Sequence, residues 1–272
     1  MFDKLEYPEL NVKEVIKEIE KRSQRKTTNI NKFLSDETKR SLVDEERKYE
    51  KFSSELFKLK PCSEIGDYDK NVANKIYDGV FKKKIREEYM SQYIGTSCPI
   101  CGQTLGVELD HVLPKSKFVQ FTVTPINLVP ICHNCNYWKG DNYGNTYANS
   151  SFHPFYEDFS SLNGLHFNFN FCNKTSPIEI IYDKKKTNPK FIHIMKEYDM
   201  EGFLTIQAVK KLRQIEHDLC SIKVSGTEKM SVDNFQKTLN AMTEYIGLSS
   251  WEKIFICDLM KVNRKFYSVL EF

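Results

Sequence analysis

The sequence predicts an α+β chain: a small β-hairpin followed by a helix, stapled by zinc, embedded in mostly helical N- and C-terminal regions. Two CxxC pairs, Cys98/Cys101 and Cys132/Cys135, have the spacing that folds four thiolates onto one tetrahedral Zn²⁺. The stretches on either side carry apolar residues at a 3.6-residue period, the mark of amphipathic helices. Strand-like alternation is confined to short runs near residues 107–112, 165–171 and 177–182. Three regions follow: a helical region over 1–95, the metal-bearing core over 96–160, and a small β-hairpin with C-terminal helices over 161–272.

In chain order, NVKEVIKEIEKR places Val12, Val15, Ile16 and Ile19 on one helical face. Ser35, followed by Asp36 and Glu37, reads as an N-cap with an acidic first turn. It opens a long helix to about Lys60, with Leu42, Tyr49, Phe52, Leu56 and Phe57 inward and Pro61 as its stop. A third helix is expected from Lys70 to Tyr93, tolerating Gly79 at about 1 kcal/mol.

In the centre, a strand with Val107, Leu109 and Val112 carries Asp110 and His111. Neighbouring strand residues point to opposite faces, so both reach one site only at a strand end or bulge. Leu113-Pro114 supplies the stop. Residues 125–129 form the return segment, and Asn136 opens a short helix whose first amides, with Lys139, are placed to meet a phosphate.

Beyond it, LHFNFNF and PIEIIY suggest a hairpin turning through residues 173–176. Helices follow from Phe191, from Phe203 to Ile222 after a break at Gly202, from a Ser231 cap to a stop at Gly247, and from Ser249 or Ser250 onward. Ile206, Val209, Leu212, Ile215 and Leu219 form the inner face of the second. Trp251, Phe255, Leu259, Val262 and Phe266 form that of the last, with Trp251 read as core.

A length of 272 residues allows one elaborated domain or two small ones. With 40% hydrophobic and 28% charged residues, the chain is a folding one. No signal-like N-terminus and no apolar run of ~20 residues is present, so no membrane and a cytoplasmic location are expected. Cys62, Cys172, Cys220 and Cys257 are scattered, as reduced thiols are. Net charge is +3, short of the basic footprint of a dedicated nucleic-acid binder. Lys82–Lys84 and Lys184–Lys186 read as solvated faces, whereas Lys115 and Lys117 sit close to Asp110-His111.

Asp110, His111, Asn127 and Asn136 are oxygen and imidazole groups of the kind that hold a hard divalent cation and activate water. DHVLPKSK, INLVPICHNCN and the following KGD resemble the HNH nucleases of the ββα-metal superfamily in their zinc-knuckle form. The resemblance is confined to this central stretch. It implies a ββα-metal core and metal-dependent hydrolysis of DNA, with products carrying 5′-phosphates. His111 is then the general base, Asp110 and Asn136 bind a catalytic Mg²⁺ or Mn²⁺, and Asn127 steadies the fold and the histidine. Asn136 stands where some members have histidine.

Zinc on Cys98, Cys101, Cys132 and Cys135 is structural, because four thiolates leave no open position. His133, inside the second knuckle, is then not a ligand. Lys115, Lys117 and Lys139 are the expected nucleic-acid contacts. Phe152-His153-Pro154-Phe155-Tyr156 resembles HNH proteins of bacterial phage-defence and restriction loci, which implies the effector nuclease of an anti-phage system. The alternatives are a non-catalytic zinc-knuckle module that binds nucleic acid or protein, and an RNase or toxin of the same fold. With so little net charge, few counterions would be released on DNA binding. A protein partner, such as an ATPase or sensor subunit, or a homodimer is therefore expected to dock on the helical flanks and supply affinity.

Overall fold

Asn11 starts the first helix. Its side chain accepts the Glu14 amide, while the Glu14 carboxylate takes the Asn11 N–H. The helix, α1 (Val12–Arg22), buries Val12, Val15, Ile16 and Ile19, the face its periodicity marks. The computed structural model describes residues 1–23, 27–172, 177–225, 232–244 and 248–269. It divides into two units, Met1–Ser160 and Ser161–Phe272. The architecture is mixed: helices with small two-stranded sheets.

In the first unit, α2 (Thr28–Phe33) precedes α3 (Asp36–Lys51), which Ser35 caps through the Thr38 amide. The expected extension of α3 to Lys60 does not form. The helix ends at Lys51, directly before Phe52, Ser53 and Ser54; serine hydroxyls compete for backbone groups, and a 3₁₀ turn at Leu56–Lys58 lets Leu56 reach the core.

A minimal hairpin, β1 (Glu64–Ile65) with β2 (Tyr68–Asp69), turns through Gly66 at φ 54. Asp69 then caps α4 (Lys70–Ile76). The single helix expected over Lys70–Tyr93 is three pieces: α4, a π-helical segment over Tyr77–Ile85, and α5 (Arg86–Ser91).

β3 (Glu108–His111) pairs antiparallel with β4 (Leu128–Ile131), Asp110 opposite Val129 and His111 opposite Leu128. α6 (His133–Lys139) follows at once. Val12, Ile19, Leu42, Tyr49, Val72, Ile76 and Phe81 share one cluster with Val112, Phe118, Phe121, Val123, Leu128 and Val129. Each such side chain contributes about 1.5–3 kcal/mol on burial. The apolar faces of α1, α3 and α4 therefore support the β3–β4 hairpin, so their amphipathicity needs no docking partner to explain it.

In the second unit, β5 (Leu165–Phe169) pairs antiparallel with β6 (Ile178–Tyr182); the expected turn at 173–176 lies outside the described residues. α7 (Pro189–Glu197) leads to α8 (Met200–Ser225), which runs through Gly202. The break falls instead at Asp199, whose φ of 50 no helix tolerates. The buried row of α8 is Leu204, Ala208, Leu212 and Ile215; Ile206 is 57% exposed, and the side chain of Leu219 lies outside the description.

α9 spans Val232–Thr243; the expected cap at Ser231, and Ile246 and Gly247 at its expected end, also lie outside the described residues. Ser249 and Glu252 cap α10 (Ser250–Lys261), and the chain breaks at Val262 before α11 (Asn263–Val269). Trp251 is core, against Phe167 and Phe255. Buried Asp258 ties α10 to β5 by accepting the Phe167 N–H at 2.9 Å, and within α10 it accepts the Lys261 Nζ at 2.6 Å. Among the described residues, no helix is long and apolar enough to cross a membrane.

Candidate functional site

Cys98 and Cys101 precede β3, and Cys132 and Cys135 flank the start of α6. Gly102, at φ 67, closes the first knuckle and returns its N–H to the Cys98 carbonyl at 2.8 Å. The four buried sulfurs lie within 4.8 Å of one another. Zn–S bonds of about 2.3 Å in a tetrahedron need sulfurs about 3.8 Å apart. Cys101 and Cys132 are 3.9 Å apart, far beyond a disulfide and close to that spacing. Hydrogen bonding to Cys101, with burial adding to it, pushes the Cys98 and Cys135 thiols up. Four thiolates this close repel one another unless a cation lies between them. The cluster fits a structural metal ion such as zinc.

Asp110 and His111 occupy the last two positions of β3, so both can turn into one cavity. The His111 Nε2 lies 2.9 Å from the Thr122 carbonyl oxygen. Only an N–H can pair with a carbonyl, so Nε2 carries the proton and Nδ1 is the ring's base. The Tyr77 ring packs on the imidazole at 4.8 Å between centroids. Burial, with Lys115 and Lys139 nearby, pushes His111 down to about 3. It is thus neutral throughout the physiological range.

Asn127 is fully buried and does not line that cavity. Its Oδ1 accepts the Leu113 N–H at 2.8 Å, and its Nδ2 donates to the carbonyls of Leu113 and Phe121 at 3.0 and 3.2 Å. It clamps the loop between β3 and β4, and Phe121 adjoins the Thr122 carbonyl that holds His111. Behind it runs a buried chain. Phe155 donates to His153 Nδ1 at 3.3 Å, which leaves Nε2 to donate to the Tyr49 hydroxyl at 3.0 Å; Tyr49 in turn donates to Asn127 Oδ1 at 3.0 Å. The Phe152–Tyr156 motif is therefore part of the site's support.

Asn136 is the fourth residue of α6, one turn in, rather than its opening residue; Cys132 holds the N-cap position. Its Nδ2 donates to Glu108 Oε2 at 2.6 Å, which leaves the amide oxygen as its ligand atom. The other Glu108 oxygen meets His133 Nδ1 at 2.8 Å. The Asn136 amide, then His133, hold the Glu108 carboxyl below its ordinary range. Glu108 escaped notice in the sequence, although it lies two residues before Asp110 and so on the same strand face.

Lys139 requires a correction. It was expected to meet nucleic-acid phosphate, but it is 1% exposed. Its Nζ sits 3.0 Å from Asp110 Oδ2 and 2.8 Å from the His111 carbonyl oxygen. Gly140, at φ 53, ends α6 there and turns the chain away. Burial pushes the Asp110 carboxyl up, and Lys139 opposes that.

A cavity of about 670 Å³ is lined by Glu108, Asp110, His111, Asn136 and Asp141, together with Tyr77, Lys82 and Arg86. The i→i+5 bonding of the π-helical segment brings Tyr77 and Lys82, a five-residue step, into that lining together. Lys115 also lines it, 4.7 Å over the Tyr77 ring and 3.7 Å from Asp78. Lys117 lies outside the lining, over Tyr143 at 4.6 Å. The Asp110 carboxylate and the Asn136 carbonyl are hard oxygen donors suited to Mg²⁺ or Mn²⁺.

No protein-family model matches the chain. No solved structure matches it either. A stretch of 100 residues is 33% identical to "Protein ea31" of Escherichia phage lambda, covering 34% of this chain and 33% of that protein. The chain thus spans about a third of the length of the curated relative it matches.

Proposed function

We propose that the first unit is a metal-dependent HNH endonuclease hydrolysing DNA phosphodiester bonds. The observation that carries this reading is a single cavity lined by Asp110, His111 and Asn136, in which the His111 tautomer is fixed with Nδ1 as the proton acceptor. His111 takes the proton of the attacking water at Nδ1, and the Thr122 carbonyl stabilises the imidazolium that forms by accepting its Nε2–H. Burial keeps the acceptor form populated, while the negative charge of a bound phosphodiester raises its basicity. Lys82, Arg86 and Lys115, which line the same cavity, orient the phosphate. Asp110 and Asn136 would hold the Mg²⁺ or Mn²⁺. That ion supplies Lewis-acid stabilisation of charge on the phosphate and the leaving 3′ oxygen when bound. Zinc on the four cysteines would tie the two ends of the hairpin to α6.

Plasmid DNA incubated with the zinc-loaded chain should be cut with added Mg²⁺ or Mn²⁺ and left intact without either. His111 is buried against Tyr77, so an alanine would leave a hole, and His111→Asn is the better variant. It should lose cleavage and keep its zinc and its melting temperature. Undiminished cleavage by that variant, or none by the folded wild-type chain, would sink the reading. Cleavage of RNA in preference to DNA would move it to a ribonuclease of the same fold.

A further inference from the structure

Tyr137 and Trp138 are 76% and 48% exposed on α6, with ring centroids 5.7 Å apart and edge to face. The helix beneath them is pinned along its length. Cys132 and Cys135 belong to the sulfur cluster, Asn136 is held by Glu108, and Lys139 by Asp110 and the His111 carbonyl. Two large aromatic faces are thus held in water by an element that cannot turn to bury them. They follow Asn136 directly in the chain, and Asn136 lines the cavity that also carries Lys82 and Arg86. If a polyanionic backbone sits in that cavity, α6 borders its path at Asn136. Aromatic rings of this kind stack on any base, whatever the sequence.

We propose that Tyr137 and Trp138 are a base-stacking platform that grips unpaired or splayed nucleotides next to the scissile phosphate. The proposal rests on the nuclease reading, since it takes the cavity to be the seat of the phosphate. It names a substrate preference: single strands, or duplex that opens at the cut, over continuous duplex.

The chain has two tryptophans, and Trp251 is buried at 7% exposure, so Trp251→Phe leaves Trp138 as the one emitter. In that background, without added divalent metal, a single-stranded oligothymidylate should quench the emission, and an abasic sugar-phosphate chain of equal length should not. Tyr137→Ala, and Trp138→Ala followed by anisotropy of a labelled oligothymidylate, should each weaken binding about 5- to 150-fold with zinc content unchanged. Equal binding of the base-bearing and abasic chains, or unchanged affinity in both alanine variants, would overturn the platform. Cleavage of plasmid by the wild-type chain is scored separately. A chain that cuts but ignores the bases refutes the platform alone, and one that stacks bases but never cuts refutes the nuclease alone.

Discussion

Replacing Lys139 by methionine keeps most of the side-chain length and removes the ammonium from a site that is 1% exposed. The lost contacts are Asp110 Oδ2 at 3.0 Å and the His111 carbonyl at 2.8 Å. Two unit charges at that separation attract by about 5.5 kcal/mol at an effective dielectric constant near 20, and desolvation offsets part of it. What remains after the change is a buried carboxylate with no counter-charge, and breaking a buried pair in this way costs about 3–5 kcal/mol. We expect Lys139→Met to lose that much of the first unit's stability. Asp110→Asn in the same chain should restore about 2–3 kcal/mol of it, because two neutral groups then face each other. Urea unfolding of the zinc-loaded chain, followed by Trp138 emission in the Trp251→Phe background, reads both. A loss under 1 kcal/mol, or strict additivity of the two changes, would refute the counter-ion role. The salt dependence of DNA binding gives a second check: Lys139→Met should leave its slope unchanged, whereas a phosphate contact would lower it by about one.

Zinc should be present at one per chain by elemental analysis, and Cys132→Ser with Cys135→Ser should abolish it together with the fold of the first unit; retention of zinc by that variant contradicts the cluster. Glu108→Leu removes the acceptor that holds the Asn136 Nδ2, so the Asn136 amide oxygen is no longer fixed toward the proposed cation site. Mn²⁺ affinity by titration calorimetry should fall about 10- to 100-fold, and an unchanged affinity excludes the orienting role. Glu46, buried with both oxygens on the Val12 N–H at 2.9 and 3.1 Å, is pushed by burial from 4.5 up to about 7. A raised carboxyl favours the folded state when protonated, so its contribution is full below 4.5 and is lost as pH rises through about 7. Glu46→Gln should thus match wild type near pH 4 and exceed its stability by on the order of 3 kcal/mol at pH 8; equal pH profiles for the two would contradict this.

The parts of the site that spacing encodes were legible in the sequence. The cysteines come in pairs whose loop length is a geometric requirement, and Asp110-His111 sit where Pro114 forces the strand to stop. Ser35 announced its helix because a cap is a local hydrogen bond, while the Asn11 cap went unread beside the stronger periodicity of α1. Lys139 was misread for the opposite reason. A lysine before a glycine at a helix end looks solvated, and only the fold shows that Asp110 lies behind it. The π-helical segment was invisible because Val80, Phe81 and Ile85 satisfy a helical period on average, whatever the local winding. In α8 the apolar residues are numerous enough to permit two phases, and packing selects Leu204–Ala208–Leu212 over Ile206. α2 and the β1–β2 hairpin are too short for periodicity to register.

The hydrogen-bond chain from His153 through Tyr49 to Asn127 bears on synthesis at the ribosome. All four cysteines, Asp110, His111 and Asn136 leave the exit tunnel before residue 153 does, so a stalled or truncated product already holds every residue proposed to bind metal or move a proton. It lacks the last donor, and with it the contact that fixes the Tyr49 hydroxyl on the Asn127 clamp. The Asn127 clamp on the Phe121 carbonyl, next to the Thr122 carbonyl that fixes the His111 tautomer, then rests on one support fewer. The support behind the cavity is therefore complete only once the first unit has been made through His153.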